Sequence, residues 1–193
     1  MNRWKGFSLS TLEAAFGVER TPEGYAVPYF LAGGQPYRTK LFKDSGGRAV
    51  WLGEPKPQIP YGLETLSLGG QRMILTEGES CAWALRLAFP EIPALGLPGA
   101  LSWQRDWGRF FAQYPVIYLS VDGDKAGASL TDKVWPDIPW ARRVRMFKGL
   151  DTRDVLQRYG SHVYRAMLAD ADWGHQLAAF FSQVAREGVA RAA

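Results

Sequence analysis

The apolar positions of this chain fall into short runs, each closed by glycine, proline or an acidic residue. The run Val116-Ile117-Tyr118-Leu119-Ser120-Val121 is rich in β-formers and has no helical period, so it predicts a buried central strand of the parallel type. Gln71–Thr76 has the same character, Ile92–Leu97 is a shorter version, and Arg142–Lys148 is the last candidate strand. Between them lie helical patterns. Ser80–Phe89 is apolar nearly all round, which predicts a buried helix, and Pro90 stops it. Further helices are expected from Trp103 to about Gln113, over Lys125–Val134, and from about Val155. Residues 161–193 are expected to form two more, split near Asp172-Trp173-Gly174. Alternating strands and helices of this kind define an α/β fold with a parallel-type central sheet flanked by helices.

The first 60 residues have a different grammar. Ser10 is a candidate cap for a short helix through Phe16, with Glu13 at the capping-box position and Gly17 closing it. Tyr25–Leu31 and Pro36–Lys43 predict a hairpin about Gly33-Gly34, and Arg48–Leu52 a third strand. Pro55, Pro57 and Pro60 then make a linker, since proline continues neither a helix nor a sheet interior. The domain plan is a small basic β-rich subdomain over residues 1–60, an α/β domain over 61–160 and a helical extension over 161–193.

Composition narrows the function classes. With 193 residues, 47% of them hydrophobic and 22% charged, the chain is long enough for one domain with a full core plus an appendage. No apolar run approaches the roughly 20 residues of a membrane span, and Met1-Asn2-Arg3-Trp4-Lys5 lacks the hydrophobic region of a signal peptide. Cys81 is the single cysteine, which excludes an internal disulfide and a multi-cysteine zinc site and points to a reducing cytoplasm. The net charge of +4 is a mild pointer to nucleic acid.

Candidate chemistry gathers at the ends of the predicted strands. The 116–121 run ends in Asp122-Gly123-Asp124, the 71–76 run in Glu77-Gly78-Glu79, and the last strand leads to Asp151 and Asp154. In open α/β sheets ligands bind beyond the carboxyl ends of the strands. A single Asp-Gly-Asp turn has two readings: a helix cap or one side of a divalent-cation site. Three acidic sets on one rim favour the cation, because unpaired like charges there would repel. Arg142, Arg143, Arg145 and Lys148 precede Asp151 with no acid among them, which suits a polyanionic substrate, although a solvated face has the same composition. Arg38, Lys40 and Lys43 on the predicted hairpin carry the same two readings.

These residues resemble the Toprim domain, the metal-binding catalytic domain of bacterial-type primases, phage primase-helicases, topoisomerases and some nucleases. Glu77-Gly78 is similar to its first motif, Asp122-Gly123-Asp124 followed by Lys125-Ala126-Gly127 to its second, and Phe147–Asp154 to the stretch holding a further metal-side aspartate. The segment Ile92–Ala100 also resembles the primase-helicase version, so the resemblance runs from about residue 70 to 157. Residues Tyr29–Phe42 and Tyr61-Gly62-Leu63 resemble, more loosely, the basic subdomain that precedes Toprim in primases.

The resemblance implies a primase catalytic core that makes short primers on single-stranded DNA from nucleoside triphosphates by two-metal nucleotidyl transfer. On that reading Glu77 is an acid/base or an indirect ligand, and Asp122, Asp124 and Asp151 hold Mg²⁺ or Mn²⁺. Arg38, Lys40, Lys43, Lys125, Arg143, Arg145 and Lys148 then contact template or triphosphate. A separate helicase or zinc-binding subunit is the partner it leaves room for, since one cysteine makes no zinc ribbon and no P-loop pattern occurs. Cys81 stands where relatives carry an aspartate, and is expected to be a small buried hydrophobe. Two alternatives use the same residues: a Toprim-type metal-dependent nuclease, and a non-catalytic single-stranded-DNA-binding protein of a mobile element. His162 and His175 lie in the helical tail and are left out of the site. Trp103 and Trp107, four apart on a predicted helix, are expected to be core, whereas Trp51 and Tyr37 are better placed to stack bases.

Overall fold

The computed structural model describes residues 3–99 and 102–192, with side chains as far as Gln176. Its elements in chain order begin with β1 (Arg3–Trp4), β2 (Phe7–Ser8), α1 (Leu9–Phe16), β3 (Glu19–Thr21), β4 (Gly24–Phe30), β5 (Pro36–Lys43) and β6 (Val50–Leu52). The second half contains β7 (Arg72–Thr76), α2 (Glu79–Ala88), β8 (Ala94–Gly96), α3 (Gly108–Phe111), β9 (Val116–Ser120), α4 (Lys125–Val134), β10 (Arg142–Arg143) and α5 (Thr152–Ala192). Two 3₁₀ turns, Leu63–Leu68 and Arg105–Trp107, sit in the connections.

The second half carries a four-stranded sheet of order β10-β9-β7-β8 in which every neighbouring pair is parallel. The expected α/β class is observed. Ile74, Leu75, Ile117, Tyr118 and Leu119 are wholly buried, because both faces of the sheet are covered. One cluster joins one face to α4 and the N-terminal elements; the other packs α5 residues Val155, Tyr164 and Leu168 against Ile74 and Tyr118. Thr76 pairs with Ser120 across β7 and β9, so the two strands leave the sheet at one level. That register brings Glu77 and Asp122, just beyond the two strand ends, side by side.

The N-terminal sheet is antiparallel, in the order β3-β4-β5-β6. The hairpin and third strand match expectation, and β3 is an addition. This subdomain meets the α/β part through aromatic packing around Trp83 of α2. Trp4, Phe7, Phe16 and Tyr61 surround its indole, with ring centroids 5.4, 6.0, 5.9 and 6.2 Å away. The Trp83 indole N–H donates to the Tyr61 hydroxyl at 2.8 Å, which satisfies both buried polar atoms.

Several boundaries differ from expectation for identifiable reasons. Ser8, not Ser10, caps α1: its backbone is extended and its Oγ accepts from the Thr11 amide, while Gly17 takes the left-handed closing position. The helix expected from Trp103 to about Gln113 is only a 3₁₀ turn and four residues of α3, because Trp103 is drawn aside by a hydrogen bond from its indole to Asp137 at 2.8 Å. The turn through Ala100 and Leu101 lies outside the described residues. The last strand ends at Arg143 rather than Lys148. β9 stops at Ser120, and Val144 makes its ladder-like bond to Leu119, after which no partner remains. The helix from Thr152 breaks at Gly160, whose φ of 79° no right-handed helix accommodates, where the expected 161–193 extension begins, but the further split expected near Asp172-Trp173-Gly174 is not observed. Asp172 stays in register because Tyr118 and Arg142 bind its carboxylate.

Candidate active site

Two acidic sets sit where a parallel strand ends and a helix begins, and the third at the start of α5, beyond the end of β10. Glu77 follows β7, Asp122 and Asp124 follow β9, and Asp151 stands one residue before α5. Gly78 is the extended cap of α2, Asp124 caps α4 by accepting from the Gly127 amide at 2.9 Å, and Asp151 accepts from the Asp154 amide at 2.7 Å. Capping uses one oxygen of Asp124 and one of Asp151, and each carboxylate still borders the rim.

Two glycines make the turn possible by close approach. A Cβ on Gly127 would lie 2.1 Å from the Asp122 carbonyl oxygen, and one on Gly123 would lie 2.9 Å from that of Phe147. The Asp-Gly-Asp loop is thus packed between the first turn of α4 and the segment after β10. Beneath it, Tyr164 donates to Ser120 Oγ at 2.7 Å and Ser120 meets Thr152 Oγ1 at 2.8 Å, a buried set that ties β9 to the start of α5.

The acids are electrostatically coupled. The Asp122 amide donates to Glu77 Oε1 at 2.8 Å. Burial, then the charges of Glu77, Asp151, Asp124 and Asp154, push the Asp122 carboxyl up to about 7. Glu77 is raised too, mainly by burial, against the lowering effect of the Asp122 amide. A cleft of about 240 Å³ is lined by Asp122, Gly123, Asp124, Gly149, Leu150, Asp151 and Asp154. Among the described residues no three of these acids form a ready-made coordination cage. The donor set nevertheless fits a hard cation, since all its members are carboxylate oxygens and Mg²⁺ characteristically takes one or two carboxylates while keeping waters.

Arg153, which sequence reasoning missed, stands at one end of this rim. Its guanidinium lies 3.0 Å from Asp151 and 3.2 Å from Asp154. Glu79 was also passed over. Its Oε1 accepts from the Tyr29 hydroxyl at 2.5 Å and from Lys40 Nζ at 2.6 Å, and Lys40 donates as well to the Pro98 carbonyl at 2.8 Å. Lys40 and Glu79 are only 7% exposed, so the ammonium expected to contact template or triphosphate, or to be solvated on a strand face, is a buried tie between β5 and α2. Local pattern could not show this, because the partner is 39 residues away.

The remaining cations lie at different places. Lys40, Arg48, Trp51, Gln58, Glu77 and Glu79 line a larger cleft of about 690 Å³ that shares Glu77 with the rim. Arg38 lies 5.1 Å over Trp51 and donates to Leu52 and Lys56 carbonyls, so it braces the sheet. Lys43 is exposed at the end of β5, and Lys125 is exposed on the first turn of α4. Arg143, Arg145 and Lys148 are exposed around β10 and beyond, Arg145 lying 3.9 Å from Asp170. Trp107 is buried and packs edge-on against Trp103 at 5.9 Å, so their expected core role holds although they share no helix. Cys81 is buried, and burial followed by the Asp151 charge pushes its thiol up to about 12. His162 is exposed on α5.

This arrangement of sheet, rim and appended basic subdomain is the fold of the catalytic cores of bacterial and phage DNA primases. The primase fragment of the bacteriophage T7 primase-helicase protein superposes with a TM-score of 0.70 over 85% of this chain and 72% of that one, at 18% identity. The Aquifex aeolicus primase, comprising zinc-binding and RNA polymerase domains, gives 0.65 over 77% of this chain at 16% identity. This chain spans only 40% of that protein. No family model matches the sequence. By sequence the chain belongs to the family of the gene 57 protein of Mycobacterium phage D29. The two are 30% identical over 123 residues, which make up 64% of this chain and 79% of that protein.

Proposed function

We propose that this chain is a primase catalytic core that joins nucleotides into short primers on single-stranded DNA. The observation that carries the reading is the convergence of Glu77 and Asp122, just beyond the ends of β7 and β9, with Asp151 at the start of α5, beside a basic sheet tied to α2 through Lys40 and Glu79. Asp122, Asp124 and Asp151 would hold Mg²⁺ or Mn²⁺; bound there, the cations supply charge for the attacking 3′-hydroxyl and for the departing pyrophosphate. Glu77, raised by burial and held by the Asp122 amide, is the group placed to take or return a proton at the reacting hydroxyl. Arg48 and Lys40, in the cleft that shares Glu77, face the position a triphosphate would take, and the exposed Lys43, Lys125, Arg143, Arg145 and Lys148 would neutralise template phosphates. The domain plan accompanies this reading: a nucleotide-handling subdomain over residues 1–60, a Toprim domain over 61–160 and a helical extension over 161–193. Among the described residues no helix is long and apolar enough to cross a membrane. A helicase or zinc-binding subunit would be supplied by another chain.

The test is a priming assay on single-stranded templates with all nucleotides and either metal. Products should require the metal and fall at least about a hundredfold in Asp122→Asn, the scale of losing one positioned charge at a reacting centre. Unchanged synthesis in that variant overturns the assignment. A labelled strand that shortens with Mn²⁺ and no nucleotides would instead identify a nuclease built on the same rim. Salt-sensitive binding without any metal-dependent product would identify a binding protein.

A further inference from the structure

Single exposed apolar residues are normal. Phe147 and Tyr159 form a pair. They are 47% and 45% exposed, and their rings meet edge to face with centroids 5.6 Å apart. Among the described residues theirs is the one aromatic contact in which both partners are this exposed.

Their position is tied to the acidic rim. Phe147 opens a tight turn in which the Leu150 amide donates to its carbonyl at 3.1 Å, and Gly149 holds the left-handed position at φ 74°. The last two residues of the same turn line the 240 Å³ acidic cleft. The Phe147 backbone in turn lies against the Asp122-Gly123-Asp124 loop, within 2.9 Å of where a Gly123 side chain would begin. Tyr159 comes from the other side, at the end of the helical stretch that starts at Thr152 and just before the Gly160 break. The aromatic pair is therefore fixed at the lip of the cleft, not carried on a loose segment.

Charge surrounds it on one pattern. From residue 143 to 147 exposure alternates: Arg143, Arg145 and Phe147 are exposed, while Val144 and Met146 are turned inward. β10 is the edge strand of the sheet, and the row leaves its end at Arg143 and continues to the turn beside the rim, with Arg145 3.9 Å from Asp170. Lys148 and Arg158 are exposed next to the two rings, and the segment from Arg142 to Leu150 contains no acid. Cations that track a backbone, leading to aromatic faces open to solvent, form the arrangement that binds single-stranded nucleic acid without reading sequence.

We infer that Phe147 and Tyr159 form a base-stacking platform for single-stranded DNA at the mouth of the acidic cleft, with Arg143, Arg145 and Lys148 holding the phosphates that lead to it. The platform rests on the primase reading for its purpose. Its existence does not depend on turnover, and the test is designed accordingly.

The probe is a fluorescent oligo-dT strand compared with an abasic strand of the same length and charge, both titrated by anisotropy in EDTA. The unaltered chain should bind oligo-dT about tenfold more tightly than the abasic strand, the scale of one or two stacked bases. In Phe147→Ala/Tyr159→Ala that preference should fall to near one, with the salt dependence unchanged. In Arg143→Ala/Arg145→Ala both strands should weaken together and the salt dependence should become shallower. Phe147→Trp should keep or increase the preference. All these side chains are exposed, so thermal melting of each variant should match the parent. The proposal is overturned if the aromatic double variant keeps its preference for bases, or if the unaltered chain binds both strands equally. A chain that shows the preference but makes no primer would sink the primase reading and leave the platform standing.

Discussion

Asp122→Asn in the metal-free chain separates the electrostatics of the rim from its chemistry. In the folded state burial and four neighbouring carboxylates move Asp122 from its ordinary 3.8 to about 7. At about 1.36 kcal/mol per pH unit, that displacement has an upper bound near 4 kcal/mol. The carboxyl is half exposed, and solvent screening reduces the figure to about 1.5 kcal/mol. Proton binding sets the sign. Between pH 4 and 7 the folded chain holds a proton that the unfolded chain has released, so raising the pH through that window removes stability. Replacing the carboxyl by an amide cancels this cost. The variant should therefore be the more stable protein at pH 8 in EDTA, by about 3–6 °C for a chain of this length. The gain should shrink as pH falls below 7 and vanish near pH 4, where the parent is also neutral. Millimolar Mg²⁺ should raise the melting temperature of the parent and barely move the variant, because ligand binding stabilises only a state that can bind. Thermal melts at pH 5 and pH 8, with and without Mg²⁺, decide the matter. A variant that melts at or below the parent at pH 8 in EDTA, or whose gain is the same at both pH values, would refute the reasoning.

Two further perturbations address the cations that hold the acids. Lys40→Ala leaves Glu79 charged and buried and should cost about 3–5 kcal/mol in urea melts. Lys40→Met combined with Glu79→Gln should recover much of the loss, and strictly additive effects would show that the pair is not coupled. Arg153→Gln removes the guanidinium between Asp151 and Asp154, so Mn²⁺ affinity measured by electron paramagnetic resonance should rise about tenfold. Unchanged or weaker binding would mean that Arg153 does not compete with the metal.

How much of the fold could be seen in the chain depended on how local each cause is. Asp122 and Glu77 were legible because an apolar run ending in acid and followed by a helix signals its place in an α/β sheet without distant information. Lys125–Val134 was legible for the same reason, with Asp124 as its cap. Gly123 does not adopt a positive φ; the carbonyl of Phe147 is what leaves no room for a side chain there, a contact that the sequence does not show. The shortened last strand depends on where β9 ends, and the continuity of the helix through Asp172-Trp173-Gly174 depends on Asp172 being held from β9 and β10. The burial of Lys40 depends on Glu79 in another subdomain. Each of these is settled by a contact distant in sequence, which periodicity does not carry.

The same contacts divide the charge of the rim in a way that bears on its function. Lys40 compensates Glu79 on the side of the basic sheet, and Arg153 compensates Asp151 and Asp154 on the side of α5. Between these two built-in cations lie Glu77, Asp122 and Asp124, which have no ion pair among the described residues, although amides donate to Glu77 and Asp124. A carboxylate set meant only to cap helices would have no reason to concentrate its uncompensated charge at the centre, since that arrangement costs stability at neutral pH. The fold supplies counter-ions at both ends and withholds them at the middle, so Glu77, Asp122 and Asp124 would hold a hard divalent cation, whose charge would relieve the repulsion there. Were a second cation held toward Asp151, it would have to compete with Arg153 for that carboxylate and should bind the more weakly.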